Sequence, residues 1–253
     1  MRLACPMYIY PGPKTDAILA HKPYLVVINP NSGPGTARDA NYTAVIRKAK
    51  AQGTIVIGYL TLDYTSKPMS AIQADIEKYH AFYPEIDGFF FDESPNDATT
   101  GLERVRIASA LAKTLHPGAK ICINPGVALQ TARYGDYVEF AMTKENTAKG
   151  YLADVSPVPA LYASTGVWHC AHTCAPDQIS AVLHAMVSRL DINDMIWVTH
   201  DTDPNPYDAV PTMLAQVAAL CTPATPPPPA PTGTVTVEVV IDGKTTRLTG
   251  KLV

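Results

Sequence analysis

The chain has 253 residues, is 47% hydrophobic and 17% charged, and sets 20 Lys and Arg against 23 Asp and Glu for a formal net charge of −3. This predicts a soluble protein with a sizeable core and excludes a basic nucleic-acid footprint. No apolar run approaches the roughly 18 to 20 residues of a membrane-spanning helix, and five cysteines are too few and too odd in number for a disulfide framework.

The N-terminus, Met1-Arg2-Leu3-Ala4-Cys5-Pro6, carries no apolar signal region. The chain is therefore expected to be cytoplasmic at synthesis, to be already mature, or to act outside the cell by another secretion route or on a particle. Eight strands are expected, at 7–10, 25–29, 55–61, 88–92, 120–124, 137–143, 167–171 and 195–200. They are short, rich in Val, Ile, Tyr or Phe, and mostly apolar on both faces, as in a parallel sheet covered on two sides. Helical periodicity places helices between them, at 41–52 (Val45, Ile46, Ala49), 71–82 (Ile72, Ile76, Tyr79), 102–115 (Val105, Ala108, Leu111), 178–190 and 210–220. Eight strands alternating with helices over about 220 residues predict an α/β fold, a (β/α)8 TIM-like barrel, ahead of a doubly wound open sheet.

Along the chain, Asn31-Ser32-Gly33-Pro34-Gly35 is rich in glycine but lacks the Lys-Ser/Thr of a phosphate loop, and Pro34 removes a backbone donor, so it reads as a turn. No dinucleotide fingerprint follows any strand, and no cofactor is expected. At Gly88-Phe89-Phe90-Phe91-Asp92-Glu93-Ser94 a buried strand runs straight into two carboxylates, at the end of a parallel strand where active sites form. In His169-Cys170-Ala171-His172-Thr173-Cys174, strand alternation sends His169 away from Cys170 and His172, so no metal site is expected. Spacing leaves a Cys170–Cys174 disulfide open. The barrel domain is expected over 1–220, a Pro-rich linker over 221–233 and a β-hairpin over 234–253, turning at Asp242-Gly243. A lone hairpin is marginal in water. Docking on the barrel is one outcome; the stiff spacer favours pairing with another chain, as a homo-oligomer or larger assembly.

The residues just beyond the strands are Tyr8, Tyr10, Asn29, Asn31, Tyr59, Asp92, Glu93, Asn124, Glu145, His169 and His200. Acids, amides and aromatics suit sugars: rings stack on aromatic faces, and amides and acids bond hydroxyls. Glycoside hydrolysis needs two carboxyl groups flanking the bond. Adjacent Asp92 and Glu93 diverge on a strand, so a second acid must come from elsewhere. Glu145 lies at the correct end of the sixth strand, whereas Glu139 would point inward from deeper; Glu145 is preferred.

Six segments, taken together, resemble a known family. They are Tyr8-Ile9-Tyr10-Pro11, Val27-Ile28-Asn29-Pro30-Asn31-Ser32-Gly33-Pro34-Gly35, Asn41-Tyr42, Gly58-Tyr59, Asp87 through Glu93, and Asn124-Pro125-Gly126. Over about residues 7–220 the chain is similar to the spherulin-4 (spherulation-specific family 4) glycoside hydrolases. The resemblance implies a (β/α)8 barrel that cleaves exopolysaccharides of α-1,4-linked galactosamine or N-acetylgalactosamine. It carries the family's strand-end Asp-Glu onto Asp92 and Glu93, and its third acid onto Glu145 in Lys144-Glu145-Asn146, where Lys replaces an aromatic. The expectation is an endo-acting hydrolase, retaining or inverting. Asp92 would be nucleophile or charge stabiliser, Glu145 the acid/base, and Glu93 a supporting or substrate-binding acid. A non-catalytic carbohydrate-binding or structural module, such as a virion-tail component assembled through the hairpin, is the alternative.

Overall fold

The computed structural model describes residues 1–156, 165–226, 234–241 and 244–251, the last two stretches by backbone alone. Eight parallel strands close into a barrel in chain order: β1 Arg2–Met7, β2 Leu25–Ile28, β3 Ile55–Thr61, β4 Gly88–Asp92, β5 Lys120–Ile123, β6 Phe140–Thr147, β7 Gly166–His172 and β8 Met195–Val198. Helices α1 Pro13–Leu19, α2 Ala40–Ala51, α3 Met69–Phe82, α4 Thr100–Leu115, α5 Ala148–Ala153, α6 Ile179–Arg189 and α7 Leu214–Ala219 cover it, with a 3-10 turn at Ala132–Asp136. The TIM-like barrel expected from the sequence is the fold. Two further strands, β9 Thr234–Ile241 and β10 Lys244–Lys251, pair antiparallel, with Thr234 opposite Lys251. The Asp242-Gly243 turn lies outside the described residues.

Two strand boundaries and two unexpected helices differ from the sequence expectation for physical reasons. The first strand is β1, five residues earlier than expected, although it contains Pro6. β1 pairs with β8 only at Arg2 and Leu3, so by Pro6 the ladder on that side has ended and the missing N–H costs nothing there. The helices α1 and α5 are too short, at 7 and 6 residues, to show a period. The sixth strand starts later and runs on to Thr147, because a bulge at Met142/Lys144 carries it past its expected end.

Inward and outward faces alternate along β4. Phe89 and Phe91 face the helices, Phe89 against Tyr79 and His116, while Phe90 meets Trp168 and Tyr59 inside the barrel. Asp92 shares the parity of Phe90 and therefore opens inward at the carboxyl end. The opposite end is stitched by acids that each precede a strand. Asp87, Glu139 and Asp194 accept the N–H of Val56, Ile121 and Val167 on the neighbouring strands, at 2.9, 2.7 and 2.9 Å. The first residues after the barrel run across this same end: Thr222 N–H donates to the Met1 carbonyl and Ala224 N–H to that of Lys22, both 2.9 Å. All five cysteines are unbonded, Cys170 and Cys174 included. Among the described residues no helix is long and apolar enough to cross a membrane.

Candidate active site

Asn124 organises the carboxyl end of the barrel. Its Oδ1 accepts the Gly126 N–H at 2.8 Å, which fixes which way the amide faces. Both hydrogens of its NH2 group are thereby left for carboxylates: Nδ2 donates to Asp92 Oδ1 at 2.8 Å and to Glu145 Oε2 at 2.7 Å. One small amide group thus bridges the two carboxylates. Residues from β4, β5 and β6 thus converge on one point.

Glu145 arrives there because of the β6 bulge. Before it, Met142 pairs with inward-facing Trp168; after it, Lys144 pairs with His169 and Glu145 with Cys170. Uninterrupted alternation would have aimed Lys144 inward and Glu145 at the helices. The extra residue, Thr143, exchanges them. Lys144, 4% exposed, turns outward to an ion pair with Asp154 at 2.7 Å and a bond to the Ser156 carbonyl. Glu145 turns inward.

Aromatic rings wall the acids. Tyr8 meets Tyr59 and Tyr207 edge to face, with centroids 5.4 and 5.5 Å away. The Tyr207 hydroxyl donates to Glu145 Oε1 and lies 3.3 Å from Cys170 Sγ. Burial, then the charge of Glu145, raises the Asp92 pKa to about 6, and the Tyr59 hydroxyl and Asn124 amide offset part of that rise. Burial followed by the Asp92 charge likewise holds the phenols of Tyr8 and Tyr59 well above their ordinary range. The Tyr207 phenol is raised by burial, then by Cys170 and Glu145. These phenols stay protonated, Tyr207 donating to Glu145 and Tyr59 to Asp92.

The structure brings Asp92, Asn124, Glu145, Tyr8 and Tyr59 together. It places Glu93 on the rim, exposed, its Oε2 accepting from Thr61 Oγ1 at 2.6 Å. Tyr10 is on the rim too, its hydroxyl bonded to Asp39 and Asn41 at 2.9 and 2.8 Å. Asn29 is taken up in the loop, its Oδ1 accepting the Gly33 N–H, as befits a turn, while Asn31 lines an adjoining cleft of about 440 Å³ with Tyr42 and Tyr83. His200 is half-buried at the end of β8, its Nδ1 accepting from Thr212 N–H.

His169 is not at the mouth. It is 0% exposed on the outer face of β7, its Nδ1 2.7 Å from the Tyr151 hydroxyl, with a pKa lowered to about 3 by burial and by nearby Lys144 and Arg189. It is a core histidine, and the sugar contact expected of it is withdrawn. Glu139 sits at the opposite end, bonded to Lys113 and Ile121 N–H, and cannot meet Asp92. Tyr207 was missed by sequence reasoning because it follows β8 at a distance; the only signal was an aromatic in the Pro204-Asn205-Pro206-Tyr207 turn. Among the described residues no three His, Cys, Asp or Glu converge on a metal position.

Comparison with known proteins agrees with this architecture. The sequence profile of spherulation-specific family 4 matches residues 2–221. Spherulin-4 of Physarum polycephalum is 27% identical over 211 residues, covering 79% of this chain, which spans 63% of that relative's length. The crystal structure of Aspergillus clavatus Sph3 in complex with GalNAc superposes with a TM-score of 0.69 at 23% identity, covering 87% of this chain and 96% of that one. A cyclic α-maltosyl-(1→6)-maltose hydrolase from Arthrobacter globiformis superposes at 0.53 and 10% identity, over 81% and 70% of the two chains.

Proposed function

The chain belongs to spherulation-specific family 4, and on that premise we propose that it is an endo-acting glycoside hydrolase. Its substrate would be an amino-sugar exopolysaccharide with α-1,4-linked galactosamine or N-acetylgalactosamine. The observation that carries this reading is the Asn124 fork, in which one small amide group bonds both Asp92 and Glu145, at 2.8 and 2.7 Å, inside a tyrosine-lined mouth and so keeps the two acids close. Carboxyl groups at about 5–5.5 Å suit retention, whereas inversion takes roughly 6.5–9.5 Å to admit a water. Asp92 would attack the anomeric carbon, forming a glycosyl ester, as Glu145 passes its proton to the departing oxygen. Glu145 would then take a proton from the water that breaks the ester. Asn124 steadies both carboxylates, and Tyr207 orients Glu145 through its other oxygen. The GalNAc bound by Aspergillus clavatus Sph3 supports an amino sugar as the unit recognised. The acids at the mouth would also draw in a chain carrying free amines.

Release of oligosaccharides from purified galactosaminogalactan tests the assignment. Asp92→Asn and Glu145→Gln should each lose at least about a hundredfold in rate, with the product keeping the α-configuration in wild type. Undiminished cleavage by either variant, or a β-anomeric first product, would refute it.

A further inference from the structure

Tyr64 has no structural reason to be a tyrosine. Among the described residues only Tyr10 and Tyr64 of the tyrosines stand more than half exposed, at 59% and 56%. Tyr10 has its hydroxyl fixed by Asp39 and Asn41 and its ring against Tyr42. Among the described residues the Tyr64 hydroxyl makes no hydrogen bond and its ring no aromatic or cation–π pair. Its backbone is also left-handed, with φ of 51°, a conformation that costs a bulky residue on the order of 1 kcal/mol or more.

The surroundings hold that conformation in place. Asp63 and Glu93 are left-handed as well, at φ of 46° and 49°. The three residues interlock across the β3 and β4 ends. Tyr64 N–H donates to the Glu93 carbonyl at 2.7 Å and Leu62 N–H to that of Asp92 at 2.9 Å, while Thr61 Oγ1 bonds Asp63 N–H and Glu93 Oε2. From the other side, Arg104 of α4 donates to the carbonyls of Leu62 and Lys67, and Lys67 pairs with Asp75. A loop clamped at both ends thus presents an exposed aromatic ring to solvent from a backbone bonded to Glu93, the neighbour of Asp92.

We infer that Tyr64 is a sugar-stacking platform of an extended substrate groove, binding a ring of the same polymer chain one or two units from the one at Asp92, with Glu93 and Asp63 beside it to bond hydroxyl or amine groups. This rests on the carbohydrate reading of the mouth and extends it to a residue that the chemistry does not use. The strain is kept because the loop shape that carries it also places the ring.

The test is equilibrium binding of soluble, partly deacetylated galactosaminogalactan to full-length protein carrying Asp92→Asn, so that binding is read without cleavage. Adding Tyr64→Ala or Tyr64→Gly should weaken binding about tenfold, the scale of losing one packed aromatic contact, while Tyr64→Phe should stay within about twofold. Because glycine is at ease at positive φ, Tyr64→Gly should melt no lower than its parent, which separates lost binding from lost folding. Unchanged binding in the Ala and Gly variants, or no binding by any variant, would overturn the platform. Wild-type cleavage, assayed in parallel, tests the hydrolase separately: binding that depends on Tyr64 without cleavage keeps the platform and removes the enzyme, and the reverse result does the opposite.

Discussion

Asp92 shows how one side chain's environment sets both its chemistry and its cost. A carboxyl group titrates near 3.9 in an unfolded chain and at about 6 here. Between those values the folded protein holds the extra proton, so stability falls as pH rises through that window. Above it, ionised Asp92 costs up to about 3 kcal/mol. Asp92→Asn should therefore melt higher than wild type at pH 8, with the gain gone by pH 4; thermal melts across that range would check it. The proposed nucleophilic role needs the group ionised, so kcat/KM should drop as pH falls through about 6. A loss on raising pH through 6 instead would make Asp92 the acid and exchange its role with Glu145. Asp92 was legible in the sequence because three aromatics followed by an acid can only be a buried strand with its end in a cavity. Tyr207 was not, since nothing local says that a residue in a long loop folds back onto β6.

At the scale of elements, the strands were readable from β-branched and aromatic runs, whereas the device that aims Glu145 was hidden. A bulge is a matter of pairing between two strands, and the sequence of one strand does not contain it. Lys144 fits the same fact: it faces the helix layer, where a long side chain can reach Asp154. Packing between β3 and α3 makes a sharper demand. Gly58 faces outward beneath Tyr79, and a Cβ there would lie 2.6 Å from the ring, which is 0% exposed and bonded through its hydroxyl to the Tyr59 carbonyl. Gly58→Ala should destabilise by about 1–3 kcal/mol and disturb Tyr59 with it; a denaturant titration showing no shift would contradict this packing.

Seen whole, the barrel divides its acids between two ends. Asp87, Glu139 and Asp194 stitch strands at the amino end; Asp92 and Glu145 meet at the other. Sequence alone left Glu139 and Glu145 as rivals because a strand's ends are its least readable part, and closure of the barrel separates them. Glu139→Ala should cost about 1–2 kcal/mol through its lost bond to Ile121 and leave turnover as it was, while Glu145→Ala should do the reverse. Melting and rate measured on both variants would decide. The departure of the C-terminal segment belongs to the same division. Residues 222–224 cross the stitched end beside Met1 and Lys22, and Gly53, at φ of 86°, leaves room for the Thr225 carbonyl where a Cβ would stand 1.7 Å away. Grafted to a resin through a tag placed just after Pro226, the barrel would turn its tyrosine-lined mouth toward the passing fluid, so a soluble sugar ligand should reach it without the occlusion that random coupling brings.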